Sequence, residues 1–181
     1  MKVVLAPAEI LRQDAQPVTF SGPKLAKIIT EMRACLLSQT DPEGVGLAAN
    51  QVGLPYKLFL ARFTTKKGKL IRVFINPEIA DHSKELQKID EEKTPLEGCL
   101  SLPRYYGIVK RWQWLVLRFQ DENLQTKEEK FENFPAVVIQ HEMDHLSGRI
   151  FVERILEQKG NLYRVTGKDK KGKETWEKVE I

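Results

Sequence analysis

The spacing of apolar residues predicts a first helix shortly after residue 20. Ser21-Gly22-Pro23 is typical of a helix start, because proline is favoured in the first helical turn, where its missing N–H would have no partner. The apolar residues that follow lie three and four positions apart and share one helix face: Leu25, Ile28, Ile29, Met32 and Leu36. Cys35 lies beside this stripe and is interpreted as a buried core thiol.

Apolar runs bounded by turn residues predict strands through the middle of the chain. The predicted strands are residues 58–61, 70–75, 112–119 and 124–131. The first two flank a turn at residues 66–69, and Asn76-Pro77 is expected to stop the second one. The last two form a long antiparallel hairpin. The charged residues 81–93 are interpreted as a solvated loop or edge.

The second half of the chain predicts one more helix and a terminal hairpin. Asn133-Phe134-Pro135 interrupts the chain, and residues 136–146 form a helix that Ser147-Gly148 ends. Residues 163–165 and 175–179 flank a turn-like segment. Helices therefore mix with hairpin-connected strands, which favours an α+β fold with antiparallel β-sheets packed around a central helix, the one at residues 136–146. We expect a single domain over residues 1–181, with a basic tail at 167–181.

Composition excludes several classes of protein. The chain has 181 residues, of which 41% are hydrophobic and 30% charged, as in globular proteins. No apolar stretch is long enough for a membrane span and no signal peptide is recognised, so we expect a cytoplasmic protein, and a monomer because no long apolar stripe stands out. The net charge of +4 permits weak attraction to RNA without indicating a nucleic-acid reader. Two cysteines do not make a disulfide scaffold.

The strongest local signal for chemistry is His141-Glu142-Met143-Asp144-His145. Histidines at positions i and i+4 share one helix face, so both imidazoles can reach one metal ion. Glu142 points to the neighbouring face, where it can accept a proton from water without being a ligand. The chain has only three histidines, and the third, His82, is assigned to the surface.

A catalytic metal site of this kind needs a third protein ligand. No histidine follows the helix, but a downstream glutamate could be the third ligand, as in a zinc endopeptidase, so this alternative stays open. The downstream glutamates are Glu153, Glu157, Glu174, Glu177 and Glu180. Upstream, Cys99 lies inside Glu97-Gly98-Cys99-Leu100-Ser101, and a Cys/His/His set is a sensible tetrahedral site. A non-catalytic metal-binding or RNA-binding module is the other alternative.

Three motifs together resemble the peptide deformylase family. Residues 44–53, GVGLAANQVG, resemble its first motif, GxGLAAxQ. Residues 97–101, EGCLS, are similar to its second motif, and residues 140–146, QHEMDHL, are similar to its third, QHExDHL. The motifs occur in the family order, and the resemblance extends from about residue 5 to residue 154. It implies a metal-dependent hydrolase that removes the formyl group from the N-terminal formylmethionine of new polypeptides, releasing formate.

The resemblance also implies roles for individual residues. Cys99, His141 and His145 would bind one divalent ion, with Fe²⁺ favoured and Zn²⁺, Ni²⁺ or Co²⁺ as other occupants. Glu142 would be the general base and acid. Gln51 and the backbone N–H of Leu100 would hold the oxyanion.

Substrate binding is assigned by the same resemblance. The peptide would lie extended along Val45, Gly46 and Gly98 and pair with the main chain. Tyr106 and Val138 are plausible walls of the methionine pocket, although ordinary core packing explains them equally well.

Two groups of charged residues have two interpretations each. Glu97, Asp144 and Arg111 are candidates for bracing the metal ligands or for a structural ion pair. Many bacterial members of the family end in a helix, whereas this tail resembles strands. Its basic residues suggest either a weak contact with ribosomal RNA or a solvated surface hairpin.

Overall fold

Within the residues that the structure describes, the fold combines three α-helices with two β-sheets. The computed structural model describes residues 1–66, 68–90 and 94–180. The helices are α1 (Gly22–Leu37), α2 (Asn133–Leu146) and α3 (Phe151–Glu157). The strands are β1 (Gly46–Ala48), β2 (Leu58–Thr65), β3 (Gly68–His82), β4 (Glu97–Cys99), β5 (Leu102–Gly107), β6 (Trp114–Gln120), β7 (Thr126–Glu132), β8 (Leu162–Lys168) and β9 (Glu174–Val179). Short 3₁₀ helices cover Glu9–Arg12 and Ala49–Val52.

All strand pairs in the two sheets are antiparallel. The larger sheet has the order β1-β2-β3-β6-β7 and the smaller one the order β4-β5-β8-β9. This confirms the predicted α+β class. Within the described residues, β1 and β4 are each at an edge of a sheet, which matters for the cleft described below.

Helix α1 matches its prediction closely. It begins at Gly22 with Pro23 in its first turn, and its predicted apolar face is buried. This face packs against Leu58, Leu60 and Val73 of the larger sheet. Cys35 is buried in the same cluster, as expected for a core thiol.

Helix α2 packs against the larger sheet and reaches the smaller one. Its residues Ala136 and Ile139 are fully buried among aromatic side chains that include Phe59 and Phe74. The helix begins at Asn133, three residues earlier than predicted, because a proline in the first turn displaces no helical hydrogen bond. It ends at the predicted site, where Gly148 adopts a φ of 65°.

The prediction that Asn76-Pro77 stops a strand is wrong. Strand β3 continues to His82 through a bulge between Ile75 and Glu78, and a bulge leaves a residue unpaired, so that proline is tolerated. Asn76 adopts a φ of 49°, and its side chain accepts a hydrogen bond from the Val18 N–H at 2.7 Å. The predicted charged loop therefore begins after His82. Residues 91–93 of this predicted loop lie outside the described residues, as does Lys67 of the turn predicted at residues 66–69.

The sequence did not predict α3, β1, β4 or β5, but the terminal hairpin is confirmed as β8–β9. Helix α3 buries only Phe151 and Ile155, which pack against Cys99, Val109 and Leu162. Two buried residues give too weak a periodicity for sequence-based prediction. No helix in the described part of the chain is long and apolar enough to cross a membrane.

Candidate metal centre and cleft

Cys99, His141 and His145 lie close together at the junction of α2 and β4. The ligand atoms of the three residues all lie within 4.8 Å of one another. Cys99 Sγ lies 3.2 Å from His145 Nε2. The two histidines lie one turn apart on α2, and Cys99 is the last residue of β4. One thiolate and two imidazoles at these distances fit a single transition-metal ion.

The orientation of His141 is fixed by Glu97. Its Nδ1 lies 3.0 Å from Glu97 Oε2, which leaves Nε2 for the metal side of the ring. Both oxygens of Glu97 also accept hydrogen bonds from Arg111, from Nε and Nη2, at 2.8 Å each. Metal-bound histidines commonly have such a carboxylate partner, which holds the ring and its tautomer.

A buried chain of charges continues from Arg111 to the end of α2. Arg111 Nη1 donates to Asp144 Oδ2 at 2.6 Å, and Arg154 Nη2 donates to Asp144 Oδ1 at 2.5 Å. Arg111, Glu97 and Asp144 all have side chains less than 10% exposed. The sequence left bracing and a structural ion pair open for these residues; the contacts show one network that reaches the His141 ring.

Burial and charge set the protonation of this network. Burial by itself raises the pKa of Glu97, but the charge and hydrogen bonds of Arg111 and the hydrogen bond of His141 outweigh it, and the pKa falls to about 2. Burial likewise raises the pKa of Asp144, but hydrogen bonds from Arg154 and the charge of Arg111 lower it overall. Both carboxyl groups are therefore ionised at neutral pH.

The surroundings of Cys99 favour its thiolate form. Burial raises the pKa of the thiol, but the charge of His145 and hydrogen bonds with both histidines outweigh burial and hold the pKa well below its usual range. The thiolate is the form of cysteine that binds metals. For His141, burial lowers the pKa, but hydrogen bonds with Cys99 and Glu97 outweigh burial and raise the pKa overall.

Glu142 lies beside the three ligands, and its carboxylate takes the space next to Gly46. A Cβ on Gly46 would lie 2.0 Å from Glu142 Oε1, so a larger residue at position 46 would displace the carboxylate from this place. Glu142 is 3% exposed, and its Oε2 has no hydrogen-bond partner among the described residues. Burial raises the pKa of Glu142 to about 7, even though the charges of His141 and His145 lower it. A carboxyl group of this pKa can both accept and donate a proton near neutrality.

The Gln51 side chain is turned so that its amide NH₂ faces Cys99. Its Oε1 accepts a hydrogen bond from the Ala48 N–H at 2.8 Å. Its Nε2 consequently points the other way, 3.4 Å from Cys99 Sγ and 3.2 Å from Ser101 Oγ. The side chain is buried, so a donor with a fixed direction lies beside the metal ligands.

Asn50 is a site residue that the sequence reasoning missed. Its Nδ2 donates to the backbone carbonyl of His145, which ties the 3₁₀ helix that carries Gln51 to the last turn of α2. Asn50 is 1% exposed. A buried polar residue inside the first motif was the available signal, because buried amides need partners.

The site opens into a cleft of about 1000 Å³. Of the residues predicted for the site, those that line the cleft are Val45, Gly46, Gln51, Gly98, Cys99, Leu100, Tyr106, Val138, His141 and Glu142. His145 is fully buried behind them. The sequence reasoning missed the wall residues Phe134, Val137 and Leu96. Val137 could have been found, because it precedes His141 by one helical turn.

Tyr106 covers one wall of the cleft. Gly98 pairs with Tyr106 across β4 and β5, and a Cβ on Gly98 would lie 2.5 Å from Cε1 of the Tyr106 ring. The ring therefore lies directly over Gly98. The ring also packs edge-on against Trp176, with the ring centroids 5.1 Å apart.

Comparisons of this chain with protein families, with known sequences and with solved structures all lead to the same family. The polypeptide deformylase family model matches residues 1–161. The peptide deformylase of Bartonella quintana is 36% identical over 156 residues, which are 84% of this chain and 82% of the relative. A probable peptide deformylase from Synechococcus phage S-SSM7 has a TM-score of 0.75 and 31% identity, covering 84% of this chain and 97% of that one. The Met-Ala-Ser-bound crystal structure of a class I type b peptide deformylase from Acinetobacter baumannii has a TM-score of 0.74 and 31% identity, covering 84% and 96%. The chain belongs to the polypeptide deformylase family.

Proposed function

We propose that this chain hydrolyses the formyl group from the N-terminal formylmethionine of newly made polypeptides and releases formate. The observation that carries the proposal is the position of Glu142, a buried carboxyl group with a free oxygen, beside a Cys/His/His cluster at the base of an open cleft. We further propose that residues 1–181 act as one catalytic domain.

Cys99, His141 and His145 would hold one divalent ion, and we propose Fe²⁺ as that ion, with Zn²⁺, Ni²⁺ or Co²⁺ as substitutes. When bound, such an ion acts as a Lewis acid that lowers the pKa of water and polarises a carbonyl group. Two observations support these residues as metal ligands: the lowered pKa of Cys99 favours its thiolate, and Glu97 holds the His141 ring in place.

Glu142 performs the proton transfers in the proposed reaction. Its free Oε2 accepts a proton from the attacking water as the water oxygen bonds to the formyl carbon. The same carboxyl group then donates that proton to the amine nitrogen as the C–N bond breaks. A pKa of about 7 suits both steps.

Gln51 and Leu100 stabilise the negative charge that develops on the formyl oxygen. The hydrogen bond from Ala48 directs Gln51 Nε2 toward this charge, so no reorientation is needed during the reaction. Leu100 follows Cys99 directly and lines the same cleft, and its backbone N–H is the second donor in this proposal.

The peptide lies extended between the edges of the two sheets. Strands β1 and β4 both border the cleft, through Gly46 and Gly98, and each can accept the main chain of a peptide as an added strand. Val45 continues the β1 side. The methionine side chain enters between Tyr106 and Val138.

The first experiment measures formate release from formyl-Met-Ala-Ser, with protein prepared anaerobically with Fe²⁺ or with Ni²⁺. Glu142→Gln should lower kcat by about 10²–10⁴-fold while keeping its metal, because Glu142 moves protons and is not a ligand. A fully metallated wild-type protein without turnover would contradict the proposal and direct attention to peptide-bond cleavage.

We also propose a weak contact between the basic tail, residues 167–181, and the ribosome, where the substrate is made. We further propose that the enzyme acts in the cytoplasm and as a monomer. The lysines at the tip of the β8–β9 hairpin support the ribosome contact, since Lys168, Lys170, Lys171 and Lys173 are exposed and form no ion pair within the described residues. Replacing these four lysines by glutamine should abolish salt-sensitive co-sedimentation with ribosomes. Unchanged co-sedimentation would favour a solvated surface hairpin.

A further inference from the structure

A second cavity of about 640 Å³ adjoins the cleft. It lies on the face of the smaller sheet that also carries Tyr106, and its walls include Ile108, Tyr163 and Trp176. Thr94 and Leu96 line both cavities, so the second cavity meets the outer end of the cleft at these two residues. We call it the distal cavity.

The terminal hairpin builds the aromatic wall of the distal cavity. Tyr163 on β8 pairs directly with Tyr106 on β5, and Trp176 on β9 contacts the Tyr106 ring. The family match ends at residue 161, so β8 and β9 lie beyond it. Trp176 is 42% exposed, which leaves ring surface available to a ligand.

The direction of β4 leads a bound peptide toward this cavity. The formyl end must lie at Cys99, the last residue of β4. Beyond Cys99 the chain turns into β5, with Cys99 paired to Leu102, which closes that direction. In the other direction, Gly98, Glu97 and Leu96 all line the cleft.

The length of the peptide fits this route. An extended chain advances about 3.3 Å per residue, so the three positions from Cys99 to Leu96 span roughly 10 Å. A peptide that pairs with β4 from its formyl end therefore passes Leu96 with its third or fourth residue, and the following side chain can enter the distal cavity.

We propose that the distal cavity binds an aromatic or large apolar side chain at the fourth or fifth residue of a formyl-peptide, in contact with Trp176. This inference rests on the proposed deformylase function and adds a preference for sequence beyond the third residue. One aromatic contact of this kind should raise kcat/KM about threefold to tenfold.

The test compares formyl-Met-Ala-Ser-Ala-Ala with the two peptides that carry phenylalanine at position four or five. At least one phenylalanine peptide should have a kcat/KM about threefold to tenfold above that of the alanine peptide. In Trp176→Ala, the ratio of the two kcat/KM values should fall to about one. In Trp176→Phe, most of the preference for the phenylalanine peptide should remain. Because each ratio is taken within one variant, a general loss of activity cancels.

Leu70→Ala is the control, because Leu70 is an exposed apolar residue of β3 that lines neither cavity; its ratio should equal that of the wild type. If the wild type had the same kcat/KM for all three peptides, side-chain binding in the distal cavity would be refuted and the deformylase function would stand. The same holds if Trp176→Ala kept the wild-type preference for a phenylalanine peptide. Absence of turnover with formyl-Met-Ala-Ser itself would overturn the proposed function and this inference with it.

Discussion

The carboxylate of Glu142 and the backbone of Gly46 occupy adjoining space, so that a Cβ at position 46 would lie 2.0 Å from Oε1. The first motif thus leaves room for the glutamate side chain of the third one. The carboxylate is the far end of a flexible side chain, and it, not the backbone, would move if residue 46 were larger.

Gly46→Ala should therefore damage activity more than stability. Displacing the Glu142 carboxylate removes most of its contribution as a general base, so we expect kcat/KM to fall by about 10²-fold or more. The measurement is formate release together with thermal unfolding. Gly167→Ala is the matched control, because a Cβ there would meet only Thr175 Oγ1 at 3.7 Å. Wild-type kcat/KM in Gly46→Ala would contradict the placement of Glu142.

Cys99→Ala should lose the metal, whereas Cys35→Ala should keep it. Both cysteines are buried, but only Cys99 belongs to the cluster with the two histidines. We expect the metal affinity of Cys99→Ala to fall by more than the roughly 10–100-fold that follows loss of an outer-shell partner. Metal content after dialysis measures this.

Chelation of the wild-type protein should likewise abolish formate release, and added Ni²⁺ should restore it. Metal retained in Cys99→Ala would instead favour a third ligand elsewhere, as in an endopeptidase.

Gln51→Leu should lower kcat by about 10²–10³-fold, because a directed oxyanion donor is lost. Gln140→Leu offers a matched control, since Gln140 is also buried and also binds backbone groups, at Trp112. Both variants leave buried backbone groups without partners and should lose about 1–3 kcal/mol of unfolding free energy. A kcat for Gln51→Leu as high as that of Gln140→Leu would exclude the proposed role of Gln51.

Arg111→Ala should destabilise the fold by about 3–5 kcal/mol, because Glu97 and Asp144 would remain buried without their shared cation. Arg118→Ala removes an exposed pair with Glu128 and should cost less than about 1 kcal/mol. Urea unfolding measures both. Similar losses in the two variants would show that the buried network contributes little.

The clustering of the metal ligands was predictable because local geometry determines most of it. A spacing of four residues places His141 and His145 on one helix face in any helix, and the structure brings Cys99 to them as the motifs implied. The roles assigned to the cleft residues stay predictions until variants are measured.

The bracing network could not be chosen from sequence in the same way. The sequence named Arg111, Glu97 and Asp144 but left bracing and a structural ion pair open, because Arg111 is 14 residues from Glu97 and 33 from Asp144 and no local pattern shows their contacts. The extension of β3 past Pro77 depends likewise on its partner β6, which the local pattern at Asn76-Pro77 does not reveal.

The two strands that border the cleft, β1 and β4, are each three residues long. A strand of this length offers few main-chain groups, so any polypeptide can bind through its backbone, but none can bind tightly by this means alone. Short edges also resist unwanted pairing with other chains. An enzyme that acts on many different polypeptides gains from this arrangement, because limited main-chain pairing does not hold the product in the cleft.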